Sequence, residues 1–448
     1  MVEPVETAVS KSGGARDNSL EAALSAARRA YEQANPKSRA QNQLAAEVLP
    51  GGNTRTVIYT APYPLTIAKG EGALLWDIDG HRYTDFLGEY TAGLFGHSHP
   101  ALREAIARGV ERGLSLGGHN SDEAKLARLI VDRFPSIDLV RFTNSGTEAN
   151  MMAITAAIGF TKRTRIVVFE GAYHGSVLRY PAGEKPASNA PYDVEILPYN
   201  DIGAATEFLT RSGQDVAAVL VEPMMGSAGC IPATPEFLRA LRDLTKRVGA
   251  VLIFDEVQTS RLAPGGLQAL HDIRPDMTTV GKYLAGGVSF GAFGGAKAIM
   301  DQFDPRLKGG LSHAGTFNNN SITMSCGVTV LGELFDDEAC AVLNRRGDRL
   351  RERINALAAE CGVRMTASGL GSIMNMHFVD GPVADAWAVK KGPQELRELL
   401  WLHMVSSGFW IAQRGMMSLS LLIEDKDTDA ILDAIGEFID RYGHLFPR

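Results

Sequence analysis

An acid and a lysine each follow an apolar run in the middle of the chain. Residues 251–254 are directly followed by Asp255 and Glu256, and residues 278–281 lead to Lys282. Apolar runs that stop at a polar side chain are typical of buried strands ending at the carboxyl edge of a parallel sheet. A carboxylate and an amine at one edge suit a pyridoxal phosphate enzyme, whose lysine forms a Schiff base and whose acid keeps the ring nitrogen protonated. An acidic pair after a strand also fits a metal or phosphate site, so these residues alone leave the chemistry open.

A glycine turn with two hydroxyl side chains follows another predicted strand. Ser145, Gly146 and Thr147 come just after residues 139–142 and open a helix predicted to run to residue 160. Backbone N–H groups and the positive end of the helix dipole converge at such an N-terminus, which suits a phosphate. The turn has neither the P-loop pattern nor the GxGxxG pattern of dinucleotide sites.

Further polar side chains fall just past predicted strand ends. Glu148, Tyr173 and Glu222 do so, as Asp255 and Lys282 do, and all five are therefore expected at one edge of the sheet, where ligands bind in such folds. Tyr173 could stack on a flat cofactor or could plug its loop.

An arginine and a pair of histidines have competing interpretations. Arg55 follows the turn at residues 50–53, where its guanidinium could bind a carboxylate or form a surface ion pair. His97 and His99 have a spacing that metal ligands can have, but no further His or Cys lies near them in the sequence. A turn that opens a helix at residue 101 is the favoured interpretation, and no metal site is expected.

Composition excludes several classes of protein. The 448 residues are 45% hydrophobic and 22% charged, with 45 Lys and Arg against 52 Asp and Glu, so no nucleic-acid partner is expected. The four cysteines lack the spacing of a zinc site or a disulfide framework, which favours reduced thiols in a cytoplasmic protein. The first 18 residues lack the apolar core of a secretory signal, and no run reaches about 18 apolar residues, so no membrane span is expected.

The order of the predicted elements indicates an α/β fold with a second, α+β part. Apolar strands alternate with helices after residue 125, which predicts a parallel sheet covered on both faces. The predicted divisions are a flexible arm at 1–18, helices and a meander of a small domain at 19–88, a large cofactor-binding domain at 89–325, and the α+β remainder of the small domain at 326–448.

Taken together, the motifs resemble those of the class III (subgroup II) aminotransferases of pyridoxal phosphate fold type I. They occur in the family's order, and the matching segments are Asn144-Ser145-Gly146-Thr147-Glu148-Ala149, Tyr173-His174-Gly175, Val221-Glu222-Pro223, Phe254-Asp255-Glu256-Val257, Gly281-Lys282 and Gly315-Thr316-Phe317. The resemblance implies a large domain with a mostly parallel seven-stranded sheet and a small α+β domain built from both termini.

The resemblance also implies a role for each matching residue. Lys282 would carry the cofactor, pyridoxal 5'-phosphate, and move the proton, and Asp255 would pair with the pyridine N–H. The remaining cofactor contacts would come from Ser145, Gly146 and Thr147 at the phosphate, Tyr173 and Val257 on the ring faces, and His174 and Glu222 nearby. Thr316 would reach the cofactor phosphate of the partner subunit, so a homodimer is expected.

Two branches of the family compete, and the sequence is more similar to the β-phenylalanine (β-amino acid) aminotransferases than to the glutamate-1-semialdehyde aminomutases. The distinguishing segments are residues 50–55, 89–93, 289–295 and 413–415. In the favoured branch, arginines matching Arg55 and Arg414 bind substrate carboxylates, and apolar walls such as Tyr90, Phe95 and Trp410 would let one site serve both substrates. An ion pair with the C-terminal helix is the alternative for Arg414.

The resulting expectation is a ping-pong transaminase whose donor is a β-amino acid with an aromatic side chain and whose acceptor is 2-oxoglutarate or pyruvate. The alternatives are an aminomutase and a transaminase of ω-amino acids or amines. A non-catalytic cofactor-binding regulator would need a DNA-binding domain, for which an 18-residue arm is too short. The family motifs argue against a pyridoxal phosphate enzyme of the sulfur or decarboxylation type.

Overall fold

The computed structural model describes residues 16–184 and 186–447. The flexible arm predicted for residues 1–18 lies outside the described residues as far as residue 15, and the first helix begins at Arg16. The helices are α1 Arg16–Ala34, α2 Pro36–Ala46, α3 Pro100–Arg112, α4 Ser121–Arg133, α5 Gly146–Thr161, α6 Ile202–Ser212, α7 Pro235–Val248, α8 Gly266–Leu270, α9 Lys297–Met300, α10 Ser321–Thr329, α11 Asp337–Glu360, α12 Ala386–Lys390, α13 Gln394–Ser406 and α14 Asp425–Tyr442.

The strands form one large sheet and several small ones. They are β1 Ile67–Glu71, β2 Leu74–Asp77, β3 Arg82–Asp85, β4 Leu139–Thr143, β5 Arg165–Phe169, β6 Ala172–Tyr173, β7 Arg179–Tyr180, β8 Val194–Leu197, β9 Val216–Val221, β10 Met224–Met225, β11 Ile231–Pro232, β12 Val251–Asp255, β13 Met277–Gly281, β14 Gly291–Gly295, β15 Thr366–Leu370, β16 Ile373–His377, β17 Phe409–Trp410 and β18 Met416–Ser418.

The large sheet has seven strands in the order β4-β14-β13-β12-β9-β5-β8. Its neighbours pair in parallel from β13 to β8, and β14 alone runs antiparallel to both of its neighbours. All residues of β9, β12 and β13 are buried, as expected for strands covered on both faces by helices. The predicted α/β class with a mostly parallel seven-stranded sheet is confirmed.

The glycine-rich strand β14 was not predicted from the sequence pattern. Its glycines are required by close packing, since a Cβ on Gly291 would lie 2.2 Å from the carbonyl oxygen of Ser145. A Cβ on Gly294 would lie 2.7 Å from the carbonyl oxygen of Leu139. The strand therefore lacks the β-branched side chains by which the other strands are recognised.

A second sheet joins segments from the two ends of the chain. Strand β17 pairs in parallel with β3, so the meander β1-β2-β3 gains its fourth strand from the C-terminal part. Helix α1 packs on α13, where the rings of Tyr31 and Trp401 lie 5.6 Å apart and Arg28 forms an ion pair with Glu398 at 2.6 Å. The predicted domain boundaries stay predictions.

Regular structure is interrupted at two points in the C-terminal part. After β18 the chain turns, and the Leu421 N–H donates a hydrogen bond to the Leu94 carbonyl oxygen. Helix α10 begins at Ser321, and the helical chain breaks before Asp336, whose carboxylate accepts a hydrogen bond from the Ala339 N–H at 2.8 Å and caps α11.

The histidine at residue 97, the four cysteines and the helices were also compared with the requirements of metal sites, disulfides and membrane spans. His97 Nε2 lies 2.9 Å from Asp85 Oδ2, and the described residues include no cluster of His, Cys, Asp and Glu suited to a metal ion. All four cysteines are free, and Cys361 is exposed whereas the other three are buried. Among the residues that the structure describes, no helix has the length and hydropathy that a membrane span requires.

Candidate active site

The carboxyl edge of the large sheet holds two adjoining cavities. One has a volume of about 530 Å³ and the other about 590 Å³, and Arg55, Tyr173 and Lys282 line both. Nine of the ten predicted cofactor residues line the first cavity, all except Thr316: Ser145, Gly146, Thr147, Tyr173, His174, Glu222, Asp255, Val257 and Lys282. The expectation that side chains after separate strands converge at one edge therefore holds for these residues.

The carboxylate of Asp255 is buried and held from three directions. Its Oδ2 accepts hydrogen bonds from Asn150 Nδ2 and His174 Nδ1, each at 2.8 Å. Its Oδ1 accepts one from the Val257 N–H at 3.1 Å. The carboxylate is thus fixed in orientation, and the His174 ring carries its proton on Nδ1.

Asn150 is the residue of this network that sequence reasoning missed. It lies on α5, is 1% exposed, and accepts a hydrogen bond on Oδ1 from Thr279 Oγ1 at 2.7 Å. Asn150 follows Gly146 by four residues, so both lie on one face of the helix. This spacing is the feature of the sequence from which Asn150 could have been predicted as a site residue. Gln258, which lines both cavities, was missed as well.

The amine of Lys282 lies directly after β13 on a backbone with a φ of +53°. Its Nζ donates a hydrogen bond to the carbonyl oxygen of Tyr90 at 2.6 Å. Burial of the amine, aided by the positive charge of Arg414 and opposed by Glu89, lowers the pKa of Lys282 to about 8. A lysine with this pKa has a large neutral fraction at mildly alkaline pH, as a nucleophilic amine requires.

The N-terminus of α5 forms a narrow cradle. The Ser145 hydroxyl caps the helix by accepting a hydrogen bond from the Glu148 N–H at 3.2 Å. A Cβ on Gly146 would lie 2.9 Å from a Val257 methyl group, and a Cβ on Gly175 would lie 2.3 Å from Thr147 Oγ1. Both glycines therefore keep the cradle open, and the helix N-terminus suits a phosphate group.

Glu222 supports the loop that carries Tyr173. Its Oε2 accepts from the Tyr173 N–H at 2.9 Å and its Oε1 from the Gly226 N–H at 3.2 Å. Burial raises the pKa of Glu222 to about 7, while the nearby His174 opposes the rise. The Tyr173 side chain is 39% exposed and faces both cavities, so it is not a packed plug of its loop.

Three arginines line the second cavity, Arg55, Arg179 and Arg414, and two of them flank one aromatic ring. The Cζ atoms of Arg55 and Arg414 lie 5.8 Å and 5.2 Å from the centre of the Tyr90 ring. Arg55 forms an ion pair with Glu89 at 2.5 Å. Arg414 forms no ion pair with any described residue, and its Nη2 lies 3.0 Å from Met416 Sδ. The alternative of a pair with the C-terminal helix is therefore wrong for Arg414.

Other predicted site residues lie elsewhere. Phe95 is 2% exposed, packs edge-on against Phe335 at 6.4 Å in the core and lines neither cavity, so its prediction as a substrate wall is wrong. Trp410 packs against Tyr83 and lines a separate cavity of about 730 Å³, which Arg55 and Tyr90 also reach.

Two polar residues of the motifs also lie away from the cavities of their own chain. Glu148 lies in the first turn of α5, just past β4 as expected, but it turns back to accept a hydrogen bond from the Asn144 N–H at 2.9 Å and lines neither cavity. Thr316 is exposed and lines neither cavity.

The residues of the first cavity fit pyridoxal 5'-phosphate. A helix N-terminus kept open by glycines suits its phosphate, a fixed carboxylate suits a protonated ring nitrogen, and a lysine of lowered pKa suits its aldehyde. The second cavity, with its guanidinium groups, suits a carboxylate.

Comparison with known proteins shows the family to which the chain belongs. The family model of the class-III aminotransferases matches residues 58–439. A β-phenylalanine transaminase of Variovorax paradoxus is 51% identical over 96% of this chain and 98% of its own length. A glutamate-1-semialdehyde 2,1-aminomutase of Rhodopirellula baltica is 39% identical over 80% of this chain and 84% of its own.

Solved structures give the same result. The structure of a β-phenylalanine aminotransferase from Variovorax paradoxus matches with a TM-score of 0.94 and 51% identity, over 96% of this chain and 99% of that one. An ω-transaminase from Sphaerobacter thermophilus matches with a TM-score of 0.85 and 36% identity, over 90% of this chain and 97% of that one.

Proposed function

Because the chain belongs to the class-III aminotransferases, which are pyridoxal 5'-phosphate enzymes of fold type I, we propose that it transfers the amino group of a β-amino acid to 2-oxoglutarate or pyruvate. The observation that carries the proposal is the guanidinium of Arg414, which lacks an ion pair among the described residues and lines the same cavity as Lys282. The 51% identity to a β-phenylalanine transaminase supports an aromatic donor.

The chain's residues would hold the cofactor by its two ends. Gly146 and Thr147 would hold the phosphate at the N-terminus of α5, and Asp255 would accept a hydrogen bond from the ring nitrogen. Tyr173 and Val257 would contact the ring, while His174 and Asn150 keep the Asp255 carboxylate in place. When bound, the cofactor supplies an electron sink for the carbon that loses its proton.

Lys282 is the base that moves this proton. Lys282 is the only lysine among the described residues that line the two cavities, and its lowered pKa of about 8 lets it accept and return a proton near neutral pH. The carbonyl of Tyr90 orients the amine through the hydrogen bond at 2.6 Å.

The two arginines divide the substrate carboxylates between them. Arg414 receives the carboxylate of the β-amino acid, which lies one carbon further from the amine than in an α-amino acid. Arg55 is paired with Glu89, so a carboxylate that binds it must displace that pair. We assign Arg55 to the second carboxylate of the diacid 2-oxoglutarate, whose two charges compete with Glu89.

The active assembly is a homodimer in this proposal, with Thr316 reaching the cofactor phosphate of the partner subunit. Thr316 is exposed, and the large apolar side chain of Phe317 beside it is 59% exposed. This exposure supports a contact with a second copy of the chain. Trp410 lines a cavity together with Arg55 and Tyr90, and this shared cavity is the only support for a contact between Trp410 and the substrate.

An amino-donor screen tests the proposal. The holoenzyme should form glutamate or alanine from 2-oxoglutarate or pyruvate with β-phenylalanine, and initial rates at several acceptor concentrations should give the parallel double-reciprocal lines of a ping-pong mechanism. If only glutamate 1-semialdehyde reacts, without an acceptor, the chain is an aminomutase. If only amines without a carboxylate react, the β-amino acid assignment is wrong.

Variants separate the carboxylate site from the chemistry. Arg414→Gln should raise KM for the β-amino acid by about tenfold or more, because a charged hydrogen-bond partner is lost, and Arg414→Lys should raise it less. Arg247→Gln, at an exposed arginine that lines neither cavity, is the control and should leave KM unchanged. Borohydride reduction followed by peptide mass spectrometry should find the cofactor on Lys282, and its absence there would contradict the lysine's role.

A further inference from the structure

Arg261 is a fully buried guanidinium with no carboxylate beside it. The side chain is 0% exposed, and burial lowers the pKa of Arg261 to about 10. It forms no ion pair with a described residue. A buried charge costs free energy unless hydrogen bonds compensate for it, so its contacts indicate why the position holds an arginine.

The guanidinium binds two chain segments that lie far apart in sequence. Its Nη1 donates to the carbonyl oxygen of Thr91 at 3.3 Å and to Ser418 Oγ at 3.1 Å. Its Nη2 donates to the carbonyl oxygen of Leu419. Thr91 follows Tyr90 directly, and Ser418 ends the strand that begins two residues after Arg414, so Arg261 joins the segments that carry both walls of the substrate cavity.

The first of these segments has a strained backbone. Glu89, Tyr90 and Thr91 have φ angles of +46°, +52° and +81°, and none is glycine. This conformation is unfavourable for residues other than glycine, so the segment keeps it only if its surroundings hold it. The Thr91 carbonyl is fixed by Arg261, and Thr91 itself is 0% exposed.

The strained conformation has direct consequences at the site. It turns the Tyr90 carbonyl toward Lys282 Nζ and the Tyr90 ring into the space between Arg55 and Arg414. The ring is anchored at its far end, where the hydroxyl donates to the Val57 carbonyl at 2.9 Å. A relaxed backbone at residues 89–91 would move both the carbonyl and the ring.

We propose that Arg261 is a positioning residue for substrate recognition. By holding Thr91, Ser418 and Leu419 together, it keeps the Glu89–Thr91 segment in its left-handed conformation and so sets the separation of the two guanidinium groups that receive carboxylates. The inference rests on the proposed function, because it takes these arginines as the carboxylate receptors.

The test measures carboxylate binding without turnover. Binding of 3-phenylpropionate, which has an aromatic ring and a carboxylate but no amine, is followed by calorimetry on the holoenzyme. Arg261→Lys keeps the charge but cannot reach all three acceptors, and it should weaken this binding by about tenfold and raise KM for the β-amino acid similarly while kcat changes less. The affinity for the cofactor should stay within about twofold, because the cradle at Gly146 is not held by Arg261.

A matched control separates positioning from general stabilisation of the core. Arg397 is a half-buried arginine that donates to the carbonyl oxygens of Val389 and Gly392, away from the cavities. Arg397→Lys should leave both binding and KM unchanged. If Arg261→Lys also leaves them unchanged, Arg261 serves only the core and the proposal is wrong.

Two further measurements keep the test decisive. If Arg261→Lys does not fold, Ser418→Ala takes its place, because it removes only the hydrogen bond from Arg261 Nη1 to Ser418 Oγ at 3.1 Å. This variant should weaken the binding of 3-phenylpropionate by a smaller factor. Unchanged binding would overturn the proposal. A crystal structure of Arg261→Lys should show altered φ angles at residues 89–91, and unaltered angles would also overturn it. Failure of the unmodified holoenzyme to bind 3-phenylpropionate would instead count against the proposed carboxylate site, and the φ angles of the variant would still decide the role of Arg261.

Discussion

Replacement of Asn150 by alanine should weaken cofactor binding although Asn150 itself need not touch the cofactor. The Asn150 amide donates to Asp255 Oδ2 at 2.8 Å and to the His174 carbonyl at 2.9 Å. Removing it leaves Asp255 Oδ2 with His174 as its only described donor and leaves the His174 carbonyl without this partner. The carboxylate that should meet the ring nitrogen then loses one of its fixed directions.

The magnitude follows from the type of contact that is lost. A hydrogen bond to a charged group contributes about 1.5–3 kcal/mol, and every 1.4 kcal/mol is about a factor of ten in an equilibrium constant. We therefore expect the dissociation constant of the cofactor to rise by about tenfold to a hundredfold in Asn150→Ala. Titration of the cofactor-free protein, followed by visible absorbance, measures it directly.

Two comparison variants make the reasoning refutable. Asn150→Asp has nearly the same size but brings a second carboxylate against Asp255, so it should bind the cofactor more weakly than the alanine variant at neutral pH. Thr279→Val removes only the donor at 2.7 Å to Asn150 Oδ1 and should have a smaller effect. A dissociation constant within about twofold of the unmodified protein in Asn150→Ala would refute the idea that this amide holds Asp255 for the cofactor.

Further predictions concern an amine, an acid and a core ring. The pKa of Lys282 is lowered to about 8, so the rate at which the cofactor-free protein combines with cofactor should rise with pH and level off above about 8; a midpoint near the ordinary value of 10.5 in stopped-flow measurements would contradict this. The pKa of Glu222 is raised from 4.5 to about 7, so its charge destabilises the fold increasingly as pH rises between these values, and the Tm of cofactor-free Glu222→Gln should rise relative to that of the unmodified protein from pH 5 to pH 8. A Tm difference that does not change with pH would count against that buried charge. Phe95→Leu should lower the free energy of unfolding by about 1–3 kcal/mol in denaturant titrations and leave KM unchanged, whereas a changed KM would restore Phe95 to the substrate site.

The part of the site that rests on the large sheet was predictable from the sequence. Strands β9, β12 and β13 are buried along their whole length and consist mainly of apolar or β-branched residues, and the polar residue after each of them lies at the carboxyl edge. Glu222, Asp255 and Lys282 were found in this way. The pattern failed for β14, where close backbone contacts require glycine and leave no apolar run to recognise.

The substrate-binding part of the site was harder to predict from the sequence, because it depends on contacts between distant segments. Sequence pattern alone gives no sign that Arg55 pairs with Glu89 or that Phe95 points into the core. The position of Glu89 depends on the backbone at residues 89–91, whose left-handed conformation has no signature when the residues are Glu, Tyr and Thr. Arg261 was passed over for the same reason, since only the fold brings Thr91 and Ser418 to it.

This difference bears on how specificity can change without loss of the chemistry. The cofactor residues sit at strand ends and a helix N-terminus, where a shift would disturb the packed sheet as a whole. The two guanidinium groups instead sit on connecting segments, and their separation depends on one ring at 5.8 Å and 5.2 Å and on the backbone strain at residues 89–91. Substitutions at these residues or at Arg261 can therefore alter which carboxylates are accepted while Asp255 and Lys282 stay in place, and we expect variants with changed donor preference to map to these segments.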